Sequence, residues 1–266
     1  MARLRQEDAE ARAGSVAGRD FSEALARGLK VMTAFRSQAT PMTLSDVARA
    51  VDLPRATVRR ALLTLRHLGY VEDDGRLFRL TPRVLTLAGA YLESNIASAV
   101  LQPACEALAA AHGEIFSVAV LDGDAAMMVA YARPRSIYML GGGIGLRIPA
   151  HCTAVGRVLL TGIAPADRDA FLDTVPLTPA TPRTVTDRSV LDALLWRIGI
   201  EDHAMVEEEA ELGFRSIAVP LRRRDGRVGF ALNIGMPIAR ASSDEALALF
   251  LPILRAEAAR LGDLLI

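Results

Sequence analysis

The stretch that most constrains this chain is TLSDVARAVDLPRATVRRALLTLRHLGYVEDDGRLFRLT, Thr43 to Thr81. Leu44, Val47, Ala48 and Val51 recur at helical spacing, and Thr43 with Asp46 has the form of an N-cap with an acidic residue in the first turn. Asp52-Leu53-Pro54 ends that helix, and Pro54 suits the first turn of the next. From Arg55 onward, Val58, Ala61, Leu62, Leu65 and Leu68 make one apolar face, with Arg55, Thr57, Arg59, Arg60, Thr64 and Arg66 elsewhere on the surface. Four arginines and no carboxylate lie between Leu53 and Leu68. Gly69 stops the helix, and Tyr70–Glu72 and Leu77–Leu80 flank the hairpin signal Asp73-Asp74-Gly75-Arg76. Helix, turn, basic helix and hairpin in this order imply a winged helix-turn-helix, its second helix able to enter a major groove and its wing to lie over phosphates. A basic helix is often only a solvated face. The order of elements and the carboxylate-free outer face argue for nucleic acid.

A formal charge of zero on its own argues against that partner, but the charge is unevenly spread. Residues 1–92 carry 15 basic and 10 acidic side chains, and the remaining 174 carry 16 and 21. A basic N-terminal part joined to an acidic C-terminal part suits a DNA module fused to a domain that avoids DNA. With 266 residues, 51% of them hydrophobic, two domains with sizeable cores are expected. Lys30 is the only lysine, which reflects genomic base composition rather than function. Cys105 and Cys152 are far apart, so neither a disulfide framework nor a metal site is indicated, and no cofactor is expected. No signal peptide and no bilayer-length apolar run is seen, and a cytoplasmic location is expected.

The expected order is a flexible arm over 1–20, the winged helix over 21–82, a linker helix over 83–95 and an α+β second domain over 96–266. Phe21 to Phe35 reads as a helix backing the reader helices, and Val84 to Tyr91 as the start of the linker. In the second domain strands are expected at 115–121, 125–131, 137–140, 204–207, 216–221 and 228–234, with a capped terminal helix from Ser242 or Ser243. The glycines from Gly141 to Gly145 lack a GK[ST] ending and GxGxxG spacing, so they suit a loop beside a ligand cavity better than a phosphate site. In RIPAHCTAVGRVLL, small residues open a helix whose free N–H groups favour an anion.

The winged-helix stretch followed by PAHCTAVGR, LTPATPRTVTD and EEEAELGFRSIAVPLRRRDGRVGFALNI resembles the IclR family of bacterial transcriptional regulators, from about Phe21 to the C-terminus. FSEALARGLKVM and RIPAHCTAVGRVLL are most similar to its branch controlling protocatechuate and 4-hydroxybenzoate catabolism, which feeds the β-ketoadipate pathway. The resemblance implies a winged helix-turn-helix, a linker helix and a GAF-like effector domain. It also implies assembly as dimers or dimers of dimers on double-stranded operator DNA, and control of a catabolic operon by a small acid.

The outer face of the basic helix and the wing make Arg55, Thr57, Arg59, Arg60, Thr64, Arg76 and Arg79 the candidate DNA contacts. By that resemblance the effector cavity falls on Leu140, Thr153, Ala154, Val155, Phe214, Ser216, Asn233 and Gly235, and the residues themselves leave Arg147 or His151 open as a charge donor beside the helix start. Val206 stands where small-acid binders of the family often carry an aspartate. A mainly apolar wall with few donors suits a flat aromatic acid of the 4-hydroxybenzoate or protocatechuate class. Two other readings compete: an IclR-type regulator sensing a non-aromatic small carboxylate, and an enzyme using His151 or Cys152. The enzyme reading is the weaker, because adjacent side chains on a strand point apart, and acids such as Glu208 and Glu211 in a run are usually solvated.

Overall fold

The computed structural model describes residues 20–36, 41–94, 96–134 and 142–265. The expected arm over 1–20 (but for Asp20) and the expected strand over 137–140 lie outside them. The chain divides into two compact units, residues 1–91 and 92–266.

In the first unit, α1 (Glu23–Thr33) precedes β1 (Met42–Thr43), α2 (Leu44–Val51), α3 (Arg55–His67), β2 (Val71–Asp73) and β3 (Leu77–Leu80). Thr43 and Asp46 close a capping box: the Thr43 hydroxyl accepts from Asp46 N–H, and Asp46 accepts from Thr43 N–H at 3.1 Å. These bonds hold the Asp46 carboxyl below the usual carboxylate range. Asp52 turns left-handed at φ 49°, and Pro54 caps α3 from just outside rather than from its first turn. Gly69, at φ +80°, ends α3 in a Schellman pairing, with Tyr70 N–H on Leu65 C=O and Gly69 N–H on Arg66 C=O. Val31, Val47, Val58, Leu62 and Val71 form the core, and the strands run antiparallel in the order β1-β3-β2. Asp74 closes the wing by accepting from the N–H groups of Arg76 and Leu77. Beyond a short 3-10 turn, α4 (Leu85–Ser94) has no buried residue.

Among the described residues the second unit is a six-stranded antiparallel sheet between helices. Its elements are α5 (Ile96–His112), β4 (Ile115–Asp122), β5 (Ala125–Ala132), β6 (Arg147–Pro149), α6 (Ala154–Thr161), α7 (Pro165–Thr174), α8 (Arg188–Glu201), β7 (Ala204–Glu207), β8 (Phe214–Arg222), β9 (Val228–Pro237) and α9 (Ser243–Gly262). The strand order is β6-β5-β4-β9-β8-β7. Period-two alternation splits β8 and β9 between two cores. Ile217, Val219, Leu232 and Ile234 pack with α5 and α9, while Ala218 and Ala231 face α6 and α8. Arg147–Pro149, read from sequence only as the approach to a helix, is an edge strand paired with β5 through Ile148 and Ala126. Proline at its end is tolerated because an edge strand leaves N–H groups unused. Together the units make an α+β architecture. Among the described residues no single helix is long and apolar enough to cross a membrane.

Candidate DNA interface and effector site

The α3 surface sorts into two flanks about Arg60, which lies opposite the buried Val58, Leu62 and Leu65. Thr57, Arg60 and Thr64 line a groove against α1, together with Leu25, Leu29 and Leu68. Thr64 spends its hydroxyl proton on the Arg60 carbonyl, at 3.0 Å. Arg55 and Arg59 share the other flank with Arg66, whose guanidinium meets Asp73 of the wing at 2.9 Å. That bond pulls the Asp73 carboxyl below its ordinary range. Arg55, Arg59, Arg60 and Arg76 are exposed and have no acidic partner among the described residues. Arg79 differs: it sits opposite Glu72 in the hairpin register and binds it at 2.7 Å. Sequence reading missed the bracing role of Arg66, because its acid lies seven residues away beyond a turn.

The second candidate site is built on α6 and the sheet face beneath it. Thr153 caps α6: its hydroxyl accepts from Gly156 N–H and donates to Pro149 C=O at 2.9 Å. The N–H groups of Ala154 and Val155, both buried, precede the first intrahelical bond. The helix start is held tightly, since a β-carbon at Gly156 would stand 2.2 Å from the Ala150 carbonyl oxygen. α6 packs across β4, β8 and β9. On that face lie Ser216, Asn233 and Gly235, with the Phe214 ring over Gly235. Val206, buried opposite Ser216, makes this corner apolar.

Of the expected effector residues, Thr153, Ala154, Val155, Phe214, Ser216, Asn233 and Gly235 therefore belong to α6 and to the sheet face it covers. Leu140 lies outside the described residues. His151, one of the two charge donors that the sequence left open, sits in a setting that disfavours the charged imidazolium. It is buried, burial pushes its pKa down, and its Nε2 lies 3.1 Å from the Thr178 carbonyl, which needs the proton there. Arg147 is held by Asp122 at 2.8 Å and Asp124 at 2.9 Å on the β4–β5 turn. Burial also pushes the Cys152 thiol up to about 11 and Cys105 to about 12, so neither is a ready nucleophile. Among the described residues no group of three or more His, Cys, Asp or Glu could hold a metal ion.

The acidic run is only in part the solvated face that its composition suggests, since Glu211 is exposed and Glu209 is not. Glu209 is buried and binds Arg157 of α6 at 2.6 Å, while Arg157 Nε donates to the His151 carbonyl at 2.8 Å. Glu209 also accepts from Val185 N–H, and Thr181 and Thr184 donate to the carbonyls of Glu208 and Glu209. The Pro/Thr-rich loop, the acidic run and α6 are thereby tied into one frame. A lone arginine in the apolar run AVGRVLL was the available signal, since such a charge needs a buried partner.

Residues 89–262 match the family model of the bacterial transcriptional regulator IclR C-terminal domain, and residues 24–75 that of the IclR helix-turn-helix domain. The chain belongs to the IclR family. It is 36% identical over 238 residues to the Pca regulon regulatory protein of Pseudomonas putida, covering 89% of this chain and 82% of that one. It is 32% identical to the p-hydroxybenzoate hydroxylase transcriptional activator of Acinetobacter baylyi, over 92% of both chains. A solved IclR homologue from Microbacterium hydrocarbonoxydans, complexed with 4-hydroxybenzoate, superposes with a TM-score of 0.74 at 27% identity, covering 91% of this chain and 99% of that one. This IclR-family protein is a DNA-binding transcription regulator and not an enzyme.

Proposed function

We propose that this regulator responds to an aromatic carboxylate and controls an operon for aromatic-acid catabolism. The observation that carries the reading is the sheet face under α6. Its wall is mainly apolar (Ala154, Val155, Val206, Phe214), its polar groups are few (Thr153, Ser216, Asn233), and it is covered by a helix whose N-terminal N–H groups suit a carboxylate. The relatives and the 4-hydroxybenzoate complex above support the same ligand class. With Arg147 and His151 engaged elsewhere, the carboxylate is held by the α6 N-terminus.

At the DNA end, Arg55, Thr57, Arg59, Arg60 and Thr64 meet the major groove, with Arg76 and Arg79 on the backbone. The functional division is a winged helix over 21–82, a linker helix over 83–95 and an effector domain over 96–266, working as a homodimer or larger. Fluorescence anisotropy on operator DNA tests this. 4-Hydroxybenzoate or protocatechuate should change operator affinity, and Ser216→Leu should abolish the change while sparing DNA affinity. Calorimetry in which glyoxylate or pyruvate bound and no aromatic acid did would overturn the reading.

A further inference from the structure

Asn233 and Ser117 are left with hydrogen-bonding capacity that the folded chain does not use. They stand directly opposite each other on β9 and β4, on the same face as Ala231 and Ala119 beneath α6. Asn233 is 7% exposed and Ser117 is 1% exposed. Asn233 Nδ2 donates to Ser117 Oγ at 3.3 Å, while Asn233 Oδ1 has no hydrogen-bond partner among the described residues. The Ser117 hydroxyl proton likewise has no acceptor among them. An unsatisfied buried acceptor is costly, so it points to a group that the site receives.

The pair presents Asn233 Oδ1 as an acceptor beside the Ser117 hydroxyl as a donor. Turning the amide over exchanges the roles and still presents a donor beside an acceptor. A hydroxyl is the complement of that pair, since it donates once and accepts once. A carboxylate accepts only, and an ether has no proton to give. On the strand to the other side, Tyr131 is also directly opposite Ser117, so the polar row runs along the sheet floor, away from the apolar Val206 corner.

We infer that Ser117 and Asn233 form the specificity element for a ring hydroxyl, the end of the ligand remote from its carboxylate. This rests on the aromatic-acid reading above, and calorimetry separates the two. Benzoate, 4-hydroxybenzoate and 4-methoxybenzoate are titrated into the wild-type protein, Asn233→Leu and Ser117→Ala, with melting curves to confirm folding. The wild type should prefer the hydroxy acid about 10- to 100-fold over the other two. In both variants the preference should fall to within about threefold, with benzoate affinity kept or raised. Ser117→Ala removes one oxygen and decides the matter if Asn233→Leu does not fold. Binding of all three acids without discrimination by the wild type, or a preference that survives both substitutions, overturns the inference alone. No binding of any of the three overturns it together with the aromatic-acid reading.

Discussion

The ring of Phe214 lies over Gly235, two residues that meet across neighbouring strands: a β-carbon at Gly235 would stand 2.6 Å from Phe214 Cζ. The glycine therefore leaves the space that the ring fills. Gly235→Ala should push the ring aside, destabilise the fold by about 1–2 kcal/mol through overpacking, and weaken aromatic-acid binding without changing operator affinity. Thermal melts and calorimetry on the same variant check both effects. Unchanged ligand affinity would mean that the ring is no part of the binding wall.

The frame that holds α6 predicts larger effects. Glu209→Ala leaves the Arg157 guanidinium buried without its carboxylate, an uncompensated charge that costs about 3–5 kcal/mol. Gly156→Ala sets a methyl group against the Ala150 backbone, which cannot swing away as a side chain can, and should cost about 3 kcal/mol or more. Chemical denaturation gives both numbers. A loss below about 1 kcal/mol in both would show that α6 is not rigidly held.

His151 makes stability depend on pH. Burial lowers its folded-state pKa, so below about pH 6.5 the unfolded chain binds a proton that the folded chain does not. Its contribution is therefore full above about 6.5 and is lost as pH falls toward the folded value. The Thr178 hydrogen bond and Glu209 oppose the shift, and Arg157 reinforces it. Asp46, Asp74, Asp187 and Glu245, all lowered mainly by hydrogen bonds, act in a separate window below about pH 4.5. The wild type should lose stability between pH 7 and 5, and His151→Gln should flatten that slope.

Which parts were legible in the sequence follows from how local their causes are. The capping box of Thr43 and Asp46, the stop at Gly69, the wing turn and the Ser242–Glu245 cap each depend on residues within a few positions, and all stand where the spacing put them. Arg157 and Glu209 are 52 residues apart, and Ser117 and Asn233 are 116 apart. No local pattern pairs them, although a serine in the apolar strand IFSVAVL was a visible departure. Family resemblance pointed to Asn233 by position, and only the strand register brings Ser117 to it. The same limit hides the setting of His151, because the Thr178 carbonyl that accepts a hydrogen bond from its Nε2 lies 27 residues on.

The DNA face predicts a division among arginines. Arg59→Ala, if it removes a guanine contact, should cost about 1–3 kcal/mol and relax specificity at one base pair. Arg76, exposed at the wing tip and without an acidic partner among the described residues, should act on all sequences alike, and its loss should lower the salt slope by about one. Arg79→Ala should cost less, because Arg79 already binds Glu72 and must leave it to reach a phosphate. Anisotropy titrations over a salt series, on operator and scrambled duplexes, separate these outcomes. Intact operator affinity in both Arg59→Ala and Arg60→Ala would show that α3 is not the reader.

The last prediction concerns assembly. α4 is ten residues long and buries none of them, and Leu85, Leu87 and Tyr91 are 70%, 52% and 43% exposed. An isolated helix of that length is marginal in water, so its apolar side chains need cover. A single winged helix also offers few contacts, and useful affinity requires two half-sites held at fixed spacing. A second copy of the chain supplies both needs if the α4 helices pack against each other. Light scattering at micromolar concentration should therefore give a dimer or larger without DNA. Leu87→Glu should shift the protein toward monomer and lower operator affinity, while effector binding to the second unit persists. A wild-type monomer under those conditions, or a Leu87→Glu variant with unchanged mass, would place the self-association surface somewhere other than α4.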